Sequence, residues 1–140
     1  ITVSMRNEEW GSYLNSQRQM NFGICRRSWV GDYLDANTYL DMFVTDGENN
    51  RSGWSNLKYD RLVADAAAEL DDEKRLRLLE SAERILMEEL PIIPIYYYVS
   101  RNLVRPYVRG FYNTAVDLHP LGAIYVDRDT RGRNEYLSSE

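Results

Sequence analysis

The spacing of apolar positions predicts two amphipathic helices in the middle of the chain. Residues 59–70 place an apolar side chain every three or four positions, and residues 73–90 do the same. This spacing gathers apolar side chains on one helix face. Asp71 and Asp72 separate the two segments, and Pro91 ends the second. The sequence therefore predicts an antiparallel helical hairpin. The two stripes consist of Tyr59, Leu62, Val63, Ala66 and Leu70, then Leu76, Leu79, Ala82, Leu86 and Leu90.

Other segments have patterns that are typical of strands. Residues 1–5 alternate apolar with polar side chains, and residues 22–29 carry aromatic side chains near both ends. Residues 92–99 form the most apolar stretch, rich in β-branched and aromatic side chains, which predicts a buried strand. Residues 102–105 and 121–126 are shorter candidates. A sheet flanked by helices is therefore expected.

A further helix is predicted between the first two strands. Asn7 is a suitable N-cap, Glu8 and Glu9 complement the positive end of the helix dipole, and Arg18 suits the other end. A strand, a helix and a strand in succession predict a parallel β-α-β crossover. Ligands bind at the carboxyl ends of such strands, and Asp32 follows the second predicted strand.

The remaining segments are predicted from turn residues and polarity. Residues 37–44 predict a short helix, and residues 45–55, with two Gly and two adjacent Asn, predict a loop. Residues 128–140 are polar and are predicted to be mobile.

Composition and charge exclude several classes of protein. The chain has 140 residues, 44% of them hydrophobic and 28% charged, which is typical of a globular protein. Its net charge of −5 provides no basic surface for nucleic acid. Cys25 is the only cysteine, so an intrachain disulfide and a Cys-rich metal site are both excluded. The sequence also contains no apolar run of about eighteen residues that could span a bilayer.

Catalytic and cofactor motifs are also missing from the sequence. It contains no phosphate-binding Gly-rich loop, no GxSxG motif and no metal-ligand cluster, so neither an enzyme nor a cofactor or metal is predicted. Distant carboxylates could still meet in the fold. The chain begins at Ile1 rather than Met, and we expect it to be a piece of a longer protein.

Three segments together resemble a known family. They are RRSWVGDYLDANTYLDMF at 26–43, YDRLVADAAAELDDEKRLRLLESAERIL at 59–86 and PIIPIYYYVSRNLVRPYVRGF at 91–111. In this order and at this spacing they are similar to the peptide- and dipeptide-binding solute-binding proteins of ABC importers. The resemblance extends through about Val126.

The resemblance implies an α/β fold of the two-lobed periplasmic-binding-protein type II class, with a mixed sheet and flanking helices. The chain would be the C-terminal portion of such a protein. Residues 1–97 would complete the C-terminal lobe, and residues 98–140 would return to the N-terminal lobe and add a polar tail. The implied location is periplasmic or extracytoplasmic, with membrane association in some relatives. The implied partners are a peptide ligand and, for the intact receptor, the permease subunits in the membrane.

The resemblance also assigns three ligand-binding residues. Asp32 would bind the peptide ammonium, Arg26 would bind the peptide carboxylate, and Trp29 would form a pocket wall. A closed peptide site needs such an acid and base, because burying an unpaired charge is costly. Ordinary alternatives stay open. They are a loop acid or helix cap for Asp32, a local ion pair for Arg26 and core packing for Trp29.

Neighbouring residues carry smaller expectations. Arg27 would face away from Arg26 in a regular strand. Residues 96–98 are three tyrosines in the strand that borders the ligand cleft in the family, and His119 is expected at the surface. Ala36 stands where relatives often have proline. The resemblance also implies that Gln17 or Arg18 falls where some relatives place another ligand-facing arginine. Ligand length and selectivity therefore do not transfer from the family.

A second function stays open from the residues alone. The hairpin at 59–90 would form a small interaction module that oligomerises through residues 92–99, because an exposed apolar strand favours dimers. Self-association is also expected for an isolated piece of a receptor, whose sheet would be incomplete.

Overall fold

The computed structural model describes residues 2–131, which contain five α-helices and one two-stranded sheet. Two 3₁₀ turns cover Asp41–Phe43 and Leu121–Ala123. Residues up to Ile95 form one compact unit, and residues from Tyr96 onward form a second. The elements are α1 (Trp10–Arg18), α2 (Asn37–Leu40), α3 (Leu57–Ala68), α4 (Asp72–Glu89), β1 (Val108–Arg109), β2 (Tyr125–Val126) and α5 (Arg128–Arg131).

Helices α3 and α4 form the predicted antiparallel hairpin. The Asn56 side chain caps α3 by accepting hydrogen bonds from the backbone of its first turn, and the Asp71 carboxylate caps α4 by accepting from Lys74 N at 2.9 Å. The Glu89 carboxylate, at the end of α4, accepts from Trp54 Nε1 and Asn56 Nδ2, each at 2.7 Å, just before the start of α3. The first residues of α3 therefore lie beside the last residues of α4.

The hairpin encloses the core of the first unit. Tyr59, at 0% exposure, is the largest fully buried side chain among the described residues. Each large apolar side chain buried here stabilises the fold by about 1.5–3 kcal/mol. The stripe prediction fails at its ends, because Leu70 and Leu90 lie beyond the last helical turns and are exposed. Leu76 is also exposed. The buried cluster consists of Leu40, Tyr59, Val63, Ala66, Leu79, Ala82, Ile85 and Leu86.

Helix α2 packs on this hairpin. Leu40 belongs to the buried cluster, and its backbone carbonyl accepts a hydrogen bond from the Tyr59 hydroxyl. Together α2 and the 3₁₀ turn Asp41–Phe43 confirm the short helix predicted at 37–44. The loop predicted at 45–55 is also confirmed. The Asn50 amide nitrogen stabilises it by lying within hydrogen-bond distance of the Phe43, Val44 and Trp54 carbonyls.

The three strand predictions before residue 100 are wrong. Residues 2–5, 22–29 and 92–99 belong to no strand, so the described chain contains no β-α-β crossover, and Ile1 lies outside the described residues. A strand is held by hydrogen bonds to a neighbouring strand, and residues 2–131 supply no neighbour for these segments. Ile92 packs against the core, whereas residues 93–99 are exposed and Tyr97 reaches 98%.

The second unit contains the only sheet in the described part of the chain. Val108 of β1 lies opposite Val126 of β2 in an antiparallel pair. Gly110 follows β1 with φ 76°, and a Cβ atom there would lie 1.8 Å from the Ala123 carbonyl oxygen, so only glycine fits. The strand predicted at 102–105 is absent, and the one at 121–126 is a strand only in β2.

The helix predictions at the two ends of the chain need correction. Helix α1 is capped by Glu9, not Asn7, because the Glu9 carboxylate accepts from Ser12 N at 3.1 Å. Arg18 is the last residue of α1, as predicted. Helix α5 covers the start of the segment predicted to be mobile, and residues 132–140 lie outside the described residues. No helix within residues 2–131 is long and apolar enough to cross a membrane.

The buried Tyr59 hydroxyl generates a prediction about stability. Tyr59→Phe leaves the Leu40 carbonyl without this donor, so we expect the free energy of unfolding to fall by about 1–3 kcal/mol. Urea denaturation followed by circular dichroism measures the change. Tyr97→Phe is the matched control, because this hydroxyl is exposed and its loss should leave stability unchanged. Equal stability of the two variants would contradict a structural role for the Tyr59 hydroxyl.

Candidate functional site

The three predicted ligand-binding residues lie in one short segment, residues 26–32, which is not a strand. Arg26 and Asp32 are exposed, and Trp29 is half-buried. The segment lies between α1 and α2, and its backbone is fixed from both sides. The site is therefore a loop held by neighbouring helices rather than the end of a parallel strand.

The Asp32 end of the segment is fixed by α2. Asp32 N donates to Thr38 Oγ1 at 3.0 Å, and Thr38 is only 1% exposed. Gly31 is buried, and a Cβ atom there would come within 3.0 Å of both Thr38 Cγ2 and Tyr39 Oη. Within residues 2–131 the Asp32 carboxylate accepts no hydrogen bond. The backbone at Asp32 is thus held while its carboxylate stays exposed, which suits a cationic ligand group.

The acid that contacts the start of α2 is Asp35 rather than Asp32. The Asp35 carboxylate accepts from Asn37 N at 2.8 Å at the start of α2. It also accepts two hydrogen bonds, both 2.8 Å long, from the Arg75 guanidinium on α4. The Arg75 guanidinium, followed by the Asn37 backbone N–H, holds the pKa of Asp35 below its usual range. This paired, partly buried acid contrasts with Asp32.

The Arg26 end of the segment is fixed by α1. The Arg26 carbonyl accepts from the Tyr13 hydroxyl and, at 3.4 Å, from Gln17 Nε2. Gln17 is buried, and the same amide nitrogen lies 3.5 Å from Cys25 Sγ. Desolvation by burial raises the pKa of Tyr13. The Gln17 amide is therefore engaged inside the protein.

Trp29 lies in the middle of the segment beside Arg27. The Arg27 guanidinium carbon is 5.5 Å from the Trp29 ring centroid, within the range of a cation–π contact. Arg27 Nη1 also donates to the Asn49 carbonyl at 2.7 Å. Trp29 Nε1 is buried and has no hydrogen-bond partner among the described residues. The Arg27 guanidinium thus covers one face of the Trp29 ring, and the buried indole N–H is available to another hydrogen-bond acceptor.

Two other predicted candidates lie elsewhere. Tyr96, Tyr97 and Tyr98 are all exposed. His119 was predicted at the surface but is half-buried, with Nδ1 3.0 Å from the Tyr112 carbonyl and Nε2 3.0 Å from Asp117 Oδ1.

The second unit also brings a serine and an aspartate near this histidine. Hydrogen bonds from Ser100 and then His119 lower the pKa of Asp117. Ser100 and His119 thus both bond the same aspartate. Nowhere in residues 2–131 do three His, Cys, Asp or Glu side chains gather as they would around a metal ion.

Sequence reasoning missed the residues that support the site. Thr38 and Arg75 carried no functional expectation, and Arg27 was expected to face away from Arg26 on a regular strand. Arg75 lies forty positions from Asp35, so no local pattern connects the two. The Asp35–Asn37 contact alone had a local signal, because an aspartate two residues before a backbone N–H is a common helix cap.

The Asp35–Arg75 pair generates a prediction about pH. Because its folded pKa is lowered, Asp35 stabilises the fold above the unfolded pKa, and this stabilisation is lost as pH falls through the lowered value. Arg75→Met should return the pKa of Asp35 towards its ordinary value, as measured by carboxyl-carbon NMR titration. Arg77→Met on the same helix is the control, since Arg77 pairs with Glu73 and not with Asp35. A pKa that stays lowered in Arg75→Met would contradict this cause.

The chain is similar in sequence to several bacterial binding proteins. It is 37% identical to the periplasmic murein peptide-binding protein MppA of Escherichia coli over 79% of this chain and 21% of that protein. It is 34% identical to the dipeptide-binding protein DppE of Bacillus subtilis over 96% of this chain and 23% of that protein. A relative named as a probable deoxycholate-binding periplasmic protein, YgiS of Escherichia coli, is 39% identical over 78% of this chain and 20% of that protein. No protein-family model matches.

Solved structures agree with these relatives. The structure of Escherichia coli MppA superposes with a TM-score of 0.82 at 35% identity, covering 89% of this chain and 25% of that one. Haemophilus influenzae OppA in complex with RPPGFSPFR gives a TM-score of 0.82 at 32% identity, with the same coverage. The helices and small sheet described above are thus part of an α/β fold. The chain spans about a quarter of the relatives it matches, and over most of its own length it matches peptide-binding members of the ABC-importer solute-binding family.

Proposed function

We propose that this chain works as part of a two-lobed extracytoplasmic receptor that captures peptides for an ABC importer. The observation that carries the proposal is the TM-score of 0.82 to an OppA structure that holds a peptide, over 89% of this chain. Relatives that are named periplasmic and peptide-binding support both the location and the ligand class. The role is binding, and no catalytic step is assigned.

In this proposal Asp32 binds the ammonium group of the peptide. An ammonium taken from water into a closed cleft needs a compensating negative charge, and a charge-assisted hydrogen bond to a carboxylate supplies it. The exposed Asp32 carboxylate, on a backbone held by Thr38, suits this role. The paired Asp35 carboxylate suits it less, since Arg75 already neutralises it.

Arg26 and Trp29 would contact other parts of the peptide. The planar guanidinium of Arg26 suits a peptide carboxylate, because it can donate two parallel hydrogen bonds. Trp29 offers an apolar ring and an indole N–H that has no partner in the described chain, so a peptide carbonyl could accept from it. Closure of the two lobes would then bury the peptide and present a closed surface to the permease.

The ammonium assignment is tested by isothermal titration calorimetry of the receptor that carries this sequence. Asp32→Asn removes the negative charge while keeping the side-chain shape, so we expect the affinity for Ala-Ala-Ala to fall at least about tenfold. Asp46→Asn is the matched control, because Asp46 is exposed in the loop after the 3₁₀ turn and should leave affinity unchanged.

Deoxycholate serves as the second ligand in this experiment, because one relative is named for it. Deoxycholate has a carboxylate and no ammonium, so Asp32→Asn should not weaken its binding. A wild-type receptor that binds deoxycholate but no tripeptide would refute the peptide proposal. A receptor that binds the tripeptide with unchanged affinity in Asp32→Asn would refute only the role of Asp32.

A further inference from the structure

A continuous route of contacts connects Asp32 to helix α4. The Asp32 backbone N–H donates to Thr38, Thr38 lies in α2, and the Asp35 carboxylate accepts from the backbone N–H of Asn37, the first residue of α2. Asp35 is then held by the two hydrogen bonds from Arg75 on α4. The turn that carries Asp32 is therefore connected, through Asp35 and Arg75, to α4, the longer helix of the hairpin.

Helix α2 needs contacts with the rest of the fold to keep its shape. It has four residues, and a helix of this length does not hold its own shape in water. The buried Leu40 fixes its last residue, through the core and the Tyr59 hydroxyl. Arg75 fixes its beginning, and the Asp32–Thr38 hydrogen bond lies between these two anchors.

Arg75 also determines which of two nearby acids, Asp32 or Asp35, is available to bind a ligand. Asp32 and Asp35 are three residues apart, and a cationic ligand group is attracted by both carboxylates. The Arg75 guanidinium neutralises Asp35 in a pair whose side chains are only 27% and 30% exposed. The Asp32 carboxylate has no such partner among the described residues and is exposed at the surface. The pair thus separates a structural acid from a binding acid.

We propose that Arg75 is a positioning residue for the ligand-binding site: its pairing with Asp35 fixes the turn that presents Asp32 and leaves Asp32 as the acid for the ligand ammonium. This inference rests on the proposed function, in which Asp32 binds that ammonium. Arg75 touches Asp35 rather than the ligand, so its effect on affinity passes through Asp32.

The test is a double-mutant cycle measured by calorimetry with Ala-Ala-Ala and the receptor that carries this sequence. Arg75→Met should lower affinity about tenfold, because it releases the turn and leaves Asp35 as a competing charge. In the Asp32→Asn background the same change should cost less than about twofold, because there is no longer a carboxylate to position. Exchanging the two charges, with Asp35→Arg and Arg75→Asp together, should restore most of the lost affinity.

Controls separate positioning from general stability. Arg77→Met removes an arginine from the same helix that pairs with Glu73 at 3.5 Å, and it should leave affinity unchanged. If Arg75→Met does not fold, Arg75→Lys keeps the charge but loses the second hydrogen bond, and a loss of about threefold that vanishes in Asp32→Asn supports the proposal.

Two results would overturn this inference while leaving the proposed function intact. One is that Arg75→Met binds Ala-Ala-Ala as tightly as the wild type does. The other is that Arg75→Met lowers the affinity equally in the wild-type and Asp32→Asn backgrounds, which would mean that Arg75 acts on stability alone. Failure of the proposed function looks different, because the wild-type receptor would then bind no Ala-Ala-Ala at all.

Discussion

The hydrogen bond from the buried Tyr59 hydroxyl to the Leu40 carbonyl connects the hairpin with the candidate site. Tyr59 has no exposed surface, and burial raises the pKa of its hydroxyl, so the group stays a neutral donor. The bond fixes the end of α2, and the Asp35–Arg75 pair fixes its beginning. The core thereby positions the exposed turn at Asp32. A polar bond inside the core is thus what allows a short surface helix to hold the candidate ligand-binding residue Asp32 in place.

Sequence reasoning predicted the features that depend on residues close together in the sequence. The hairpin was predicted from the spacing of residues such as Val63 and Leu79, because a helix closes its own hydrogen bonds. The strand predictions failed because a strand needs hydrogen bonds from a neighbouring strand. Residues 2–131 supply no such neighbour for residues 22–29 and 92–99. At the candidate site, Asp32 was predicted through the family resemblance and its position in the chain. Arg75 was not, because its contact with Asp35 spans forty positions.

The absence of a partner strand within residues 2–131 also explains why most of the apolar stretch at 92–99 is exposed. Its composition is that of a buried strand, yet Ile93, Ile95 and Tyr97 are each more than 70% exposed. Side chains of this kind are normally covered in a folded protein. The chain spans about a quarter of its relatives, and this exposure supports the proposal that it works within a protein of their size.

A crystal structure of the receptor that carries this sequence, bound to Ala-Ala-Ala, tests the role of the turn most directly. The peptide ammonium should lie about 2.7–2.9 Å from a carboxylate oxygen of Asp32. The two Arg75 hydrogen bonds to Asp35 should be intact in the same crystal. An ammonium bound by another acid, with Asp32 facing solvent, would contradict this role and leave the turn as a structural connection between α1 and the hairpin.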